Sequence, residues 1–101
     1  MSNTVMFITF KLKEGASVEA FLLASERLND EVFSKNPACH SWRQLREGDQ
    51  WADLLIWETM EDAQKAMEMD EGGVSPSMEE FCSFLDQESV AHHLFSIERS
   101  Y

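Results

Sequence analysis

Basic residues are scarce in this chain. Eight Lys and Arg stand against nineteen Asp and Glu in 101 residues, giving a formal net charge of −11 at pH 7. A surface of that sign repels a phosphate backbone and an anionic membrane, which argues against a nucleic-acid partner and against membrane binding. Cysteine is nearly absent. Cys39 and Cys82 form no CxxC or Cys/His pattern, so reduced thiols are expected. Three His without an HxH or HExxH spacing give no metal site. No Gly-rich phosphate loop and no Ser/His/Asp arrangement is present. The opening Met1-Ser2-Asn3-Thr4 lacks the basic start of a secretory signal. No apolar run is long enough to cross a bilayer, and the expected location is cytoplasmic.

What is abundant is apolar and aromatic. Hydrophobic residues make up 44% of the chain, with three Trp, seven Phe and six Met. That composition and length predict one globular domain over residues 1–101. The alternation from Thr4 to Lys13 predicts a strand with Met6, Ile8, Phe10 and Leu12 on one face. Its other face, Val5, Phe7, Thr9 and Lys11, is mixed. Glu14-Gly15-Ala16 turns the chain and Ser17 caps a helix. That helix carries Val18, Phe21, Leu22, Ser25, Leu28 and Val32 at helical spacing and stops before Asn36-Pro37.

Strands at 39–47 and 50–58 flank Gly48-Asp49, a pair suited to a type II′ hairpin turn. The resulting register pairs Leu45 with Ala52, Gln44 with Asp53, Trp42 with Leu55 and His40 with Trp57. Directly opposed residues share a face. Leu45, Ala52, Leu54 and Ile56 therefore fall on one side, and His40, Trp42, Gln44, Arg46, Trp51, Asp53, Leu55 and Trp57 on the other. A three-residue turn would instead shift the register by one and exchange the partners on the second strand. A helix over 60–69 follows, with Ala63, Ala66 and Met67 inward. Asp70-Glu71-Gly72-Gly73 interrupts it, and Ser75-Pro76 starts another that ends near Asp86. The last strand spans 90–100.

The order β-α-β-β-α-(α)-β is the ferredoxin-like arrangement, an α+β fold. It predicts a four-stranded antiparallel sheet, first and third strands central, with helices on one face. The uncovered face is expected to expose Val5, Phe7, Trp42, Trp51, Leu55 and Trp57. A patch of that kind predicts a homodimer through the open sheet face.

The segment Trp51-x-Asp53-x-x-x-Trp57-Glu58, running into Glu61-Asp62-Ala63-x-x-Ala66, resembles the third strand and second helix of dimeric α/β-barrel proteins. The resemblance is strongest to their antibiotic-biosynthesis-monooxygenase-like group. Phe10-Lys11-Leu12-Lys13-Glu14-Gly15-Ala16-Ser17 is similar to the first strand and turn of the stress-responsive group of the same superfamily. Two family features are missing. The second helical region lacks the His of the haem-degrading members, and no His occurs between Met1 and Pro37, where the stress-responsive group carries one.

The resemblance implies either a cofactor-free monooxygenase or isomerase acting on a small hydrophobic, aromatic molecule, or a non-catalytic small-molecule-binding or stress-related dimer. An enzyme needs an open pocket of roughly 300 Å³ or more with polar groups converging on it. The candidate ligand-binding residues are Phe7, Trp42, Asp53, Trp57 and His92, all expected on the face opposite the helices. Asp53 and His92 are the candidate acid and base. Of the pair His92-His93, Phe95 and Ile97 draw His93 to the helix side, leaving His92 inward. Asp53 has a structural alternative, pairing with Arg46 or Gln44. The tryptophans have one too, as a dimer core, and His92 as an exposed edge residue.

Overall fold

The computed structural model describes residues 3–72 and 75–101, with backbone alone for Met69–Gly72. Four strands, β1 (Thr4–Phe10), β2 (Cys39–Glu47), β3 (Gln50–Trp57) and β4 (Ala91–Ser96), form one antiparallel sheet in the order β2-β3-β1-β4. Three helices accompany it: α1 (Val18–Glu31), α2 (Met60–Gly72) and α3 (Pro76–Ser83). The central position of β1 and β3 agrees with the sequence reading. Among the described residues no helix is long and apolar enough to cross a membrane.

Local chemistry explains the element ends. Ser17 Oγ accepts from the Ala20 amide and Ser75 Oγ from the Met78 amide, with Pro76 opening α3. Thr59 caps α2 by accepting from the Asp62 amide and donating to the Asp62 carboxylate at 2.7 Å. Gly48, at φ +61°, makes the β2–β3 turn between the paired residues Glu47 and Gln50. A side chain there would hold a left-handed conformation. Several expected boundaries move: β1 ends at Phe10 and not at Lys13, α3 at Ser83 and not near Asp86, and β4 covers Ala91–Ser96 and not 90–100. α2 runs to Gly72, past the expected stop at 69, and the rest of the Asp70–Gly73 interruption lies outside the described residues. α1 ends at Glu31 and gives way to a 3-10 turn over Phe33–Lys35.

The helix-facing side of the sheet holds the core. Phe10, Phe21, Trp51 and Phe81 are buried and lie ring to ring. Phe21 is 5.2 Å from both Trp51 and Phe81, and 5.9 Å from Phe10. Each such side chain contributes about 1.5–3 kcal/mol by leaving water.

The pairing of β1 with β3 corrects the expected facing of the hairpin. Ile8 lies opposite Asp53, Met6 opposite Leu55, Phe10 opposite Trp51 and Thr4 opposite Trp57. Since Met6, Ile8 and Phe10 face the helices, so do Trp51, Asp53, Leu55 and Trp57. Trp42 follows through its pairing with Leu55. These residues are not on the open face. The open face instead carries Val5, Phe7, Ala52, Leu54, Ile56 and Leu45, with Phe95 from β4. The hairpin register holds from Leu45 to Trp42 as expected. It breaks at a bulge between Cys39 and Ser41, so that Cys39, not His40, lies opposite Trp57.

The two β4 histidines are also exchanged. His93 pairs with Phe7 on the open face and stacks on Phe95 at 6.1 Å, whereas His92 pairs with Ile8 on the helix side.

Candidate functional site

The five sequence candidates do not form one site. Phe7 lies on the open face, away from the other four. His92 shares the helix side with Asp53 but sits on edge strand β4, exposed to solvent and not part of the pocket wall around Asp53. Trp57 lies four residues beyond Asp53 on β3, edge-on to Phe33 at 6.1 Å. Trp42 and Asp53 do meet, in a pocket between the sheet and the helices.

That pocket takes Met6 and Ile8 from β1, Leu55 and Asp53 from β3, and Trp42 from β2. Leu28 of α1, Phe33, Ala66 of α2, and Met78 and Phe81 of α3 close it. Among the described residues of the wall, Asp53 is the one ionisable group, and it is only 4% exposed. A carboxylate at that depth is costly to bury unless it is paired or hydrogen-bonded. Trp42 stands edge-on to Phe33 at 5.1 Å and to Phe81 at 5.8 Å. The indole nitrogens of Trp42 and Trp57 are buried with no hydrogen-bond partner among the described residues. Buried N–H groups in that condition are uncommon. The void itself is small, about 30 Å³.

The alternative partners of Asp53 are placed as follows. Gln44 lies directly opposite it across the hairpin, and its amide Nε2 donates to Ser25 Oγ at 2.9 Å. Arg46 turns away. Its Nε donates to the Gly48 carbonyl at 2.8 Å and its guanidinium lies 5.0 Å from the Trp51 ring centre. Ser25 is buried and also donates to the Phe21 carbonyl at 2.9 Å. Ser25 and Gln44 thus form a polar seam beside the pocket that sequence reasoning missed. The signals were a Ser on the apolar stripe of α1 and a Gln opposite the buried acid. Among the described residues, no three His, Cys, Asp or Glu side chains gather as a metal site.

Cys39, half-buried at the start of β2, has its thiol pKa pushed above the ordinary value by burial. A weak bond to the Ser41 carbonyl is the smaller influence on it. That keeps it protonated and unreactive near neutral pH.

No protein-family model matches the chain, and neither does any curated relative. Solved structures do. SnoaB, a cofactor-independent oxygenase of Streptomyces nogalater, superposes with a TM-score of 0.75 at 14% identity, over 99% of this chain and 97% of that one. A Nitrosomonas europaea protein provisionally labelled an antibiotic biosynthesis monooxygenase gives 0.69 at 13% identity, over 95% and 90%. A dimeric ferredoxin-like protein of unknown function from Thermobifida fusca gives 0.67 at 9% identity, over 95% and 92%. This chain therefore has the ferredoxin-like α+β fold of antibiotic-biosynthesis-monooxygenase-like proteins.

Proposed function

We propose that the chain works as a homodimer, joined through its open sheet faces, and that each protomer is a cofactor-independent oxygenase for a small, planar, hydrophobic molecule. The observation that carries the reading is the Asp53 carboxylate set into an otherwise apolar wall beside the Trp42 indole. The relocated site keeps Trp42 and Asp53 from the sequence candidates. Trp57 flanks it, and Phe7 passes to the dimer face.

Oxygenation without a metal or flavin requires the substrate itself to supply the electrons. An enolisable aromatic ketone or a phenol does so once deprotonated. Asp53 is the base that takes the proton, and the apolar wall shields the resulting anion from water. The anion gives an electron to dioxygen and the two radicals join in a C–O bond. The peroxide takes up a proton, and loss of water breaks its O–O bond to leave a new carbonyl, the substrate supplying all the electrons. The same proton abstraction without oxygen would serve isomerisation.

Dimerisation is supported by the character of the open face. Leu45 and Phe95 are 43% and 55% exposed beside Val5, Phe7, Leu54 and Ile56. Across Ser41–Leu45 and the facing residues of β3, β1 and β4, Arg43 and His93 are the only charged or titratable side chains on this face. Two chains carrying −11 each can therefore meet there without opposing carboxylates. The Thermobifida fusca protein of like fold is described as dimeric.

The 30 Å³ void favours a second reading, a non-catalytic dimer whose interior is filled by side chains. Solvent-deuterium exchange into C1 of 2-tetralone, followed by NMR alongside oxygen consumption, separates the two. The oxygenase reading expects catalysed exchange and oxygen uptake. Asp53→Asn should lower the exchange about 10²–10⁴-fold, the usual contribution of a positioned base. Exchange no faster than buffer supports the non-catalytic dimer, and catalysed exchange unchanged in Asp53→Asn would remove Asp53 as the base.

A further inference from the structure

The pocket at Asp53 and a cleft on the outside of the protein share one wall, the indole of Trp42. The cleft has a volume of about 240 Å³ and runs between Ser25 and Asn29 of α1 and Gln44 of β2. α1 packs mainly on α3, and the Gln44–Ser25 hydrogen bond of 2.9 Å ties it to β2 across this gap.

The inner void of about 30 Å³ has room for little more than a water molecule. A ring system enters only if a wall moves. β1 and β3 are held by pairing on both sides, and Phe81 is locked among Phe10, Phe21 and Trp42. Trp42 differs. It sits on an edge strand, is half-buried, touches Phe33 and Phe81 edge-on, and has open space behind it. Because Trp42 lines both volumes, rotation of that one side chain would join them. Its ring nitrogen, without a partner among the described residues, loses no hydrogen bond in the movement.

We propose that the cleft between α1 and β2 is the access route and the outer half of the ligand site, with Trp42 as the movable partition. Gln44 selects ligands that carry a hydroxyl or carbonyl at the end left in the cleft. The proposal rests on the reading that a ligand occupies the interior pocket, and it adds the ligand's orientation and chemical class. Gln44 lies two residues from Trp42 on the same face and opposite Asp53, and its amide offers both a donor and an acceptor. A flat molecule of two or three fused rings would place its apolar end against Ile8, Leu55 and Met78. A second oxygen, beyond the one whose acidic proton faces Asp53 in the interior, would meet Gln44 and Asn29.

Stopped-flow and calorimetric binding of 2-naphthol and of 2-methoxynaphthalene, to the full-length protein and two variants, tests this. Trp42→Phe keeps an aromatic ring on Phe33 and Phe81 while shrinking the partition, and association of both probes should quicken. The unaltered protein should prefer the naphthol by roughly 2- to 10-fold, the effect of one neutral hydrogen bond. Gln44→Leu should abolish that preference. Suppose 2-naphthol shifts the methyl signals of Ile8 and Leu55, yet both variants keep the original rates and preference. The access route and the role of Gln44 are then overturned, and the interior site stands. Absence of binding to the unaltered protein and to Trp42→Phe alike overturns both readings.

Discussion

Replacing Trp57 by Phe sets two effects of similar size against each other. Trp57 is 1% exposed, lies between Thr4 and Cys39 in the sheet, and stands against Phe33. Losing the five-membered half of the indole removes packing of about 1–2 kcal/mol, at about 0.8 kcal/mol for each buried methylene. The same change deletes a buried N–H that has no hydrogen-bond partner among the described residues, which returns about 1–3 kcal/mol of desolvation. The expected net change is within about 1 kcal/mol of zero. Trp57→Ala gains the same relief but leaves a large cavity, and should cost about 3–5 kcal/mol. At about 4–8 °C per kcal/mol for a domain of this size, the alanine variant should melt well over 10 °C lower. The Phe variant should stay within a few degrees. Urea unfolding followed by far-ultraviolet circular dichroism, at one fixed protein concentration, measures both. A loss of 3 kcal/mol or more in Trp57→Phe, with unchanged dependence on urea, would refute the reasoning, because it would mean that the N–H is satisfied in the folded protein.

Two further outcomes follow from the open face and from Cys39. Ile56→Asp places a carboxylate in the middle of the open face, opposite Val5, and should convert the dimer to monomer in sedimentation velocity. A variant that sediments as the original does would place the interface elsewhere. The Cys39 thiol has its pKa raised in the folded state by burial, so unfolding favours its ionised form at alkaline pH. Its contribution to stability is full below its unfolded value of 9.0 and is lost as pH rises through the higher folded value. Cys39→Ala should flatten the fall in urea midpoint above pH 9, and an unchanged slope would assign that fall to other groups.

The fold was legible because its signals are local. Ser17 and Ser75 mark helix starts, Gly48-Asp49 marks the hairpin, and the order of elements leaves few topologies. Alternation also grouped Trp42, Gln44, Asp53, Leu55 and Trp57 correctly on one side of the hairpin. Alternation carries no sign, however. Which side meets the helices is decided where Ile8 comes opposite Asp53 and Phe10 opposite Trp51, a pairing between segments some forty residues apart in sequence. Two local facts pointed the right way. The wholly apolar face of β1 belonged against the helices, and the largest aromatics belonged with it. β4 misled for the opposite reason. Phe95 lies on the open side at 55% exposure, so apolar company for His93 did not mean the interior. The bulge at Cys39–Ser41 has no local signal such as Gly or Pro, and the displacement of His40 from Trp57 could not be read.

Because the two faces alternate along the same strands, one experiment separates an interior site from a surface one. Isotope-edited nuclear Overhauser contacts from the ring protons of 2-naphthol to protein methyl groups report which face the ligand touches. Contacts are expected to the methyls of Met6, Ile8, Leu28 and Leu55, which line the pocket at Asp53. Contacts to Val5, Leu54 and Ile56, their neighbours on the open face, would contradict it.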